Sequence, residues 1–177
     1  MLFVGRLSPE KAVLCLLDTI QILRGKGYKA SLVIVGDGED KEKIMQANNQ
    51  FVELRGFVPI GEELSRIYRE SDIFVFPSYE NTVAKVVLEA MANGLPTVVS
   101  DYGAMPKELE NNRNCLLVEP GNGQAIADAV EKIINNDELR QAMIKNNLRA
   151  VKDYTVDKIL NERIRILRAL NRRLAGL

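Results

Sequence analysis

Residues 1–26, MLFVGRLSPEKAVLCLLDTIQILRGK, decide the fold. They begin with a short apolar run at residues 2–5 and continue into a helical pattern at residues 9–26. Ser8 is expected as the N-cap of this helix, with a proline next to it, and Gly25 and Gly27 are expected to end it. Apolar side chains recur every three or four positions, at Ala12, Val13, Leu16, Leu17, Ile20 and Leu23. This stretch therefore predicts a β-strand followed by one amphipathic helix that packs on it.

The same alternation continues along the chain. Predicted strands lie at residues 2–5, 31–36, 52–57, 73–77, 97–100 and 115–118, and further predicted helices at residues 41–48, 62–70, 84–93, 104–110, 123–135, 138–152 and 156–174. Strands that are apolar on both faces and alternate with helices are typical of a parallel sheet covered on both sides. We therefore expect an α/β fold, a doubly wound (Rossmann-like) six-stranded parallel sheet in the order 3-2-1-4-5-6.

The chain of 177 residues contains no linker or internal repeat. We expect a single domain, with an α/β core at residues 1–154 and a C-terminal helix at residues 155–177. Its 24 lysines and arginines equal its 24 aspartates and glutamates, which gives no general electrostatic reason to bind nucleic acid. It has no histidine, the commonest general base. Cys15 and Cys115 lie in apolar runs and are predicted to be small core residues.

Two cations follow the first strand. Ligands of doubly wound folds bind outside the carboxyl ends of the strands where the strand order reverses, here between strands 1 and 4. Gly5 would let a ligand approach the backbone there, and Arg6 and Lys11 lie close to the start of the next helix. A bound diphosphate would relieve their mutual repulsion. Alternatively, both are ordinary surface cations, with Arg6 paired to Glu10.

The helix after strand 4 carries Glu89 near its middle, between apolar residues. A carboxylate there is costly to bury unless it accepts hydrogen bonds, and the hydroxyl groups of a ligand could supply them. The alternative is a glutamate at the edge of the helix, bonded to a backbone amide or in a salt bridge. Small and polar residues at the start of this helix leave free amides at the same switch point.

Six motifs fall in order along the chain: VGRLSPEK at 4–11, VIVGDG at 33–38, GFV at 56–58, SDIFVFPS at 71–78, VLEAMANGLP at 87–96 and LLVEP at 116–120. Together they resemble the C-terminal, donor-binding domain of retaining glycosyltransferases of family 4, the group 1 type, which have the two-domain GT-B architecture. The resemblance covers residues 2–150 and implies that the N-terminal, acceptor-binding domain is absent from this chain.

The resemblance also implies roles for single residues. Arg6 and Lys11 match the cations that hold the donor diphosphate, and Glu89 matches the glutamate that takes the ribose hydroxyls. The other matching positions are Val58 for the nucleobase, Gly36 and Gly38 for the turn at the edge of the nucleotide, and Thr82, Val83, Ala84 and Lys85 for the sugar and its phosphate. The glycine turn could equally be a plain Asp-Gly turn before a helix, and Lys85 a solvated side chain. No metal or other cofactor is expected, because the resembled family uses helix dipoles and cations on the diphosphate.

The chain departs from the family pattern at the sugar end of this site. Asn81 stands where the family carries the first glutamate of its Glu-x7-Glu motif, and Glu80 lies one position early, so either residue could fill that role. Ala12 replaces the usual glycine after Lys11. The expected catalytic residues are Arg6, Lys11 and Asn81, although an asparagine brings no charge to an oxocarbenium-like transition state.

The last predicted helix has an apolar face surrounded by arginines 163, 165, 168, 172 and 173. It is expected to pack on the domain or on a partner domain, and the alternative is contact with an anionic membrane surface. The sequence shows no signal peptide and no run long enough to span a bilayer, so the expected location is cytoplasmic or peripheral to a membrane.

The predicted function is transfer of a hexosyl group from a nucleoside-diphosphate sugar, with UDP or GDP, to a hydroxyl acceptor with retention, in polysaccharide or glycolipid biosynthesis. The isolated chain is expected to bind the nucleotide sugar weakly and to transfer little. A non-catalytic nucleotide-sugar-binding or scaffold domain and a sugar-nucleotide epimerase remain as alternatives. A dinucleotide oxidoreductase is disfavoured, because no Gly-x-Gly-x-x-Gly follows strand 1.

Overall fold

The computed structural model of the chain describes residues 1–80, 85–102 and 109–154. Its strands are β1 Leu2–Val4, β2 Leu32–Val35, β3 Val52–Gly56, β4 Phe74–Phe76, β5 Thr97–Ser100 and β6 Cys115–Val118. All neighbouring strands pair in parallel, in the order β3-β2-β1-β4-β5-β6. The predicted fold class and strand order are therefore confirmed, and every strand lies within one residue of its predicted bounds.

The helices are α1 Cys15–Gly25, α2 Lys41–Gln46, α3 Glu62–Arg69, α4 Lys85–Ala92, α5 Gly123–Ile134 and α6 Asp137–Ala150, with 3-10 turns at Pro9–Lys11 and Val151–Tyr154. Asparagine side chains cap α5 and α6, since Asn122 and Asn136 each accept a hydrogen bond from a backbone amide three residues on. The predicted helix at residues 104–110 lies outside the described residues except for its last two, which are not helical. The predicted helix at residues 156–174 lies outside them entirely.

The prediction of one helix over residues 9–26 is wrong at its start. After a single 3-10 turn, Ala12 adopts the left-handed conformation, with φ 50° and ψ 29°, and α1 begins only at Cys15. Ser8 makes no side-chain capping bond. The reason lies in another loop: the backbone amide of Tyr79 and the hydroxyl of Ser78 both donate to the carbonyl oxygen of Glu10, at 2.7 and 3.2 Å. That carbonyl bonds to the loop after β4 and not to a fourth residue along a helix.

The core is centred on β1 and β4. Phe3, Phe76, Phe74 and Tyr68 form a continuous aromatic row, with successive ring centroids 6.0, 6.2 and 6.1 Å apart. All four side chains are buried. Since large buried aromatic rings in close packing have little freedom to shift, this aromatic row fixes α3 against the sheet.

Both cysteines are free, as expected from their apolar surroundings; Cys115 is buried and Cys15 is half-buried. Burial raises the pKa of each thiol to about 12, so both remain protonated and unreactive near neutral pH. The predicted role as a core residue is confirmed for Cys115, whereas Cys15 packs against the core and is only half-buried.

An exposed ion-pair network joins α1 to α5. Lys26, just after α1, bonds to Asp128 at 3.0 Å and to Glu131 at 2.6 Å. These hydrogen bonds from Lys26 lower the pKa of both carboxyls. None of these three residues lines the crevice described below.

Candidate functional site

A crevice of about 460 Å³ opens at the carboxyl ends of β1, β2 and β3, beside the start of α4. It lies next to the switch point between β1 and β4, where doubly wound folds bind their ligands. The structure brings together at this crevice six of the residues that the sequence singles out: Gly5, Arg6, Gly36, Val58, Lys85 and Glu89. These six come from four loops or helices that are far apart in the sequence.

Gly36 and Gly38 have a clear structural role. The loop after β2 runs directly against the loop after β1, held by backbone hydrogen bonds of 2.9–3.0 Å that involve Gly5 and Leu7. A Cβ on Gly36 would lie 1.8 Å from the carbonyl oxygen of Gly5, and a Cβ on Gly38 would lie 2.4 Å from that of Leu7. Both glycines also have positive φ, at 145° and 153°. Gly36 lines the crevice, whereas Gly38 supports its floor.

The turn between these glycines matches the alternative interpretation as well. Asp37 accepts a hydrogen bond from the backbone amide of Gly38 at 2.8 Å and pairs with Lys41 at 2.8 Å. The bond from Lys41 lowers the pKa of Asp37. Asp40 pairs with Lys43 at 2.7 Å. Both carboxylates therefore form salt bridges with lysines of α2, as expected for an ordinary Asp-Gly turn before a helix.

Arg6 is exposed and lines the crevice. In the described part of the chain it forms no salt bridge, so the alternative pairing with Glu10 is not observed. Hydrogen bonding by Ser8 lowers the pKa of Glu10, with a smaller contribution from Arg6. The guanidinium of Arg6 thus lines the crevice without a salt bridge to any carboxylate in the described part of the chain.

Lys11 does not line the crevice. Its ammonium group pairs with the carboxylate of Glu80 at 2.7 Å and lies 5.2 Å from the centre of the Phe76 ring. The side chain of Lys11 is only 13% exposed, against 40% for Glu80. Because the 3-10 turn ends at Lys11, this lysine precedes α1 and does not lie in its first turn. In this structure Lys11 is therefore engaged by Glu80 and does not line the crevice with Arg6, and the expectation that both hold one diphosphate stays a prediction.

Glu89 is half-buried on α4 and lines the crevice. Its carboxylate accepts a hydrogen bond of 3.0 Å from the hydroxyl of Tyr68, a buried residue on α3. Neither a backbone amide nor a salt bridge is thus the partner of the Glu89 carboxylate among the described residues, and its role in binding ligand hydroxyls stays a prediction. Tyr68 could have been found from the pattern of α3, because a tyrosine on an apolar helix face needs a partner for its hydroxyl.

Two apolar residues of the crevice were also missed. Phe57 is 76% exposed and Ile60 is 91% exposed, and both lie beside Val58 in the loop after β3. Exposed large apolar side chains at the rim of a crevice are typical of a binding surface. The signal in the sequence is a pair of large apolar residues around Pro59, in a turn where polar residues are usual.

The start of α4 is described from Lys85 onwards, and this exposed lysine lines the crevice near Arg6. Asn81, Thr82, Val83 and Ala84, which precede it, lie outside the described residues. Among the described residues there is no cluster of histidine, cysteine, aspartate and glutamate that could hold a metal ion. No helix in this part of the chain is long and apolar enough to cross a membrane.

Similar proteins were identified from both sequence and structure. A GDP-mannose-dependent α-mannosyltransferase of Mycobacterium tuberculosis is 36% identical over 134 residues, which cover 75% of this chain and 34% of that protein. The chain spans less than half the length of the curated relatives it matches.

Two solved structures share the fold. The C-terminal domain of the group 1 glycosyl transferase LpcC from Francisella tularensis superposes with a TM-score of 0.75 at 24% identity, covering 88% of this chain and 86% of that domain. The pneumococcal O-GlcNAc transferase GtfA, solved with UDP and GlcNAc, superposes with a TM-score of 0.84 at 19% identity, covering 95% of this chain and 35% of that one.

The family described as glycosyl transferases group 1 matches residues 1–136, which is most of the chain. Those residues contain all six motifs and all six strands, since the last strand, β6, ends at Val118. The chain therefore belongs to the group 1 glycosyl transferases, and its fold is that of the C-terminal domain of a GT-B enzyme.

Proposed function

We propose that the complete protein transfers a hexosyl group from a nucleoside-diphosphate sugar to a hydroxyl acceptor with retained configuration, and that this chain binds the donor. The observation that carries the proposal is the crevice itself, which combines Arg6 and Lys85 with the carboxylate of Glu89. Cations suit a diphosphate, and a carboxylate suits the vicinal hydroxyls of a ribose. A volume of about 460 Å³ lies within the usual range for a small-molecule site.

The nucleotide would lie across the crevice, with its ribose, base and diphosphate bound by different residues. Glu89 would accept hydrogen bonds from the ribose hydroxyls, and the loop with Phe57, Val58 and Ile60 would pack against the nucleobase. Arg6 and Lys85 would hold the diphosphate, with Lys11 joining them once its ammonium leaves Glu80. Gly5 and Gly36 would let the ligand approach the backbone closely.

In the reaction, negative charge develops on the departing diphosphate, and fixed cations stabilise that charge. Arg6 is suited to this role because its planar guanidinium can bond two phosphate oxygens at once. Asn81 would hydrogen-bond the transferred sugar without adding charge. No metal is required in this scheme, since the cations and the start of α4 meet the diphosphate.

The named relatives support the donor class without fixing the base. One relative carries GDP-mannose dependence in its name, and one structural neighbour was solved with UDP. We propose a UDP or GDP sugar as the donor. The acceptor would bind to a partner domain, so the isolated chain should bind the donor weakly and transfer little or nothing.

The first test is a thermal-shift panel of nucleoside diphosphates and their sugar conjugates on the chain. The best ligand is then titrated by calorimetry against the chain and the Arg6→Ala variant, alongside the corresponding nucleoside. Losing a charge-assisted contact costs roughly 1.5–3 kcal/mol, so diphosphate affinity should fall about tenfold to a hundredfold. Nucleoside affinity should barely change. Equal losses for the two ligands would refute the role of Arg6.

We also propose that the protein is cytoplasmic. Any contact with a membrane would be peripheral and would be made by the predicted helix at residues 156–174. Its arginine-rich sequence is the support for contact with anionic lipid. Liposome sedimentation of the chain with and without residues 156–177 tests this. Lipid binding that survives the deletion would overturn the proposal.

A further inference from the structure

Tyr68 is the largest fully buried side chain of α3, and its hydroxyl bonds to Glu89, which lines the crevice. The phenol oxygen lies 3.0 Å from Oε2 of Glu89 and 3.4 Å from the carbonyl oxygen of Val86. Both acceptors belong to α4, so one hydroxyl joins α3 to the helix that carries the carboxylate of the crevice.

Packing of the Tyr68 ring holds this hydroxyl in place. The ring of Tyr68 ends the aromatic row, where its centroid lies 6.1 Å from that of Phe74 in β4. Burial, followed by the nearby charge of Glu89, raises the pKa of Tyr68 well above its ordinary value. The phenol therefore stays protonated and can only donate to the carboxylate at accessible pH.

A carboxylate held in this way is restricted but still able to bind. A glutamate side chain in solution samples several rotamers, and fixing it costs conformational entropy. The bond from Tyr68 fixes Glu89 through one oxygen before any ligand arrives. The remaining acceptor sites of the carboxylate can then bond other hydroxyl groups.

We infer that Tyr68 is a positioning residue of the donor site, whose hydroxyl holds Glu89 in the orientation that accepts the ribose hydroxyls of the nucleotide. This inference rests on the proposed function, in which Glu89 binds the ribose. Tyr68 itself does not line the crevice, and it acts only through Glu89. Removing its hydroxyl should therefore weaken the recognition of ribose and leave the recognition of diphosphate and base unchanged.

The test compares two ligands on the full chain. One is the ribonucleoside diphosphate, UDP or GDP, that stabilises the chain more strongly, and the other is its 2′,3′-dideoxy analogue. In Tyr68→Phe the affinity for the ribonucleotide should fall about tenfold, equivalent to about 1.4 kcal/mol. The affinity for the dideoxy analogue should stay within about twofold, which a general loss of structure would not produce.

Tyr28→Phe is the matched control. The hydroxyl of Tyr28, which follows α1, likewise donates to a glutamate, Glu131 of α5, at 3.0 Å, and neither residue lines the crevice. Its removal should change neither affinity. Should Tyr28→Phe reproduce the selective loss, or should Tyr68→Phe weaken both ligands equally, the inference is wrong.

Glu89→Ala separates this inference from the proposed function. If it abolishes the preference for ribose, and Tyr68→Phe has no further effect in that background, the two residues act together as inferred. If Glu89→Ala abolishes the preference while Tyr68→Phe leaves it intact, only the inference fails. If Glu89→Ala keeps the preference, or the chain binds neither nucleotide, the role proposed for Glu89 fails and the inference fails with it.

Discussion

Replacing Ala12 by glycine should stabilise this domain, although most alanine-to-glycine changes destabilise. Ala12 has φ 50° and ψ 29°, a left-handed conformation that costs an L-residue roughly 1–2 kcal/mol. Glycine adopts it without this cost. Glycine also makes the unfolded chain more flexible, however, and this lowers the stability by about 0.5–1 kcal/mol. The net expected gain in the free energy of unfolding is about 0.5–1 kcal/mol. The conformation itself is retained, because the loop after β4 still bonds to the carbonyl of Glu10.

Urea denaturation followed by circular dichroism measures this gain as a higher midpoint at an unchanged m-value. Ala142→Gly is the control, because Ala142 is exposed in the interior of α6. There glycine should cost about 1 kcal/mol through lost helix propensity. The same substitution should thus act with opposite signs at the two positions. If Ala12→Gly destabilises as much as the control, the left-handed conformation of Ala12 is not a source of strain.

Three further outcomes are expected. Gly36→Ala should destabilise by roughly 3 kcal/mol or more, since its Cβ would collide with the Gly5 carbonyl; a near-native denaturation midpoint would contradict this. Glu80→Gln should tighten nucleoside-diphosphate binding, because it frees the ammonium group of Lys11 from its salt bridge. This half-exposed salt bridge is worth at most about 1 kcal/mol, so the gain should reach about fivefold at low salt. Weaker binding in calorimetry would contradict this. Lys26→Gln should lower stability at pH 7, where its partner carboxyls are ionised. Their pKa values are depressed in the folded state, so that loss should fade as the pH falls through those values, and an equal loss throughout an acid titration would disprove the linkage.

The sequence predicted the sheet well because each strand is an apolar run that alternates with a helix. The predicted topology also indicated where the crevice lies, since ligands of such folds bind near the carboxyl ends of β1 and β4 and the crevice opens beside this point, after β1, β2 and β3. The break at Ala12 could not be read in the same way. It depends on hydrogen bonds from Ser78 and Tyr79, which lie far along the chain, to a carbonyl that a local pattern assigns to a helix.

Side-chain partners at the site were predicted less well for a similar reason. Lys11 and Arg6 were expected to act together because of their charge, their place after the first strand and the family resemblance. The structure gives Lys11 a carboxylate partner from the loop after β4, and gives Glu89 a phenol from α3. Each of these pairs joins two elements whose mutual approach is set by packing, which spacing within one element does not reveal.

The loops after β1 and β2, which line the crevice, are joined by main-chain hydrogen bonds of Gly5 to Val35 and of Leu7 to Asp37 and Asp40. Such bonds do not depend on the side chains that these loops carry. In the proposed donor site, substitutions at the rim, as at Phe57 or Ile60, would therefore alter which base is accepted while the main-chain geometry beneath the phosphates is preserved.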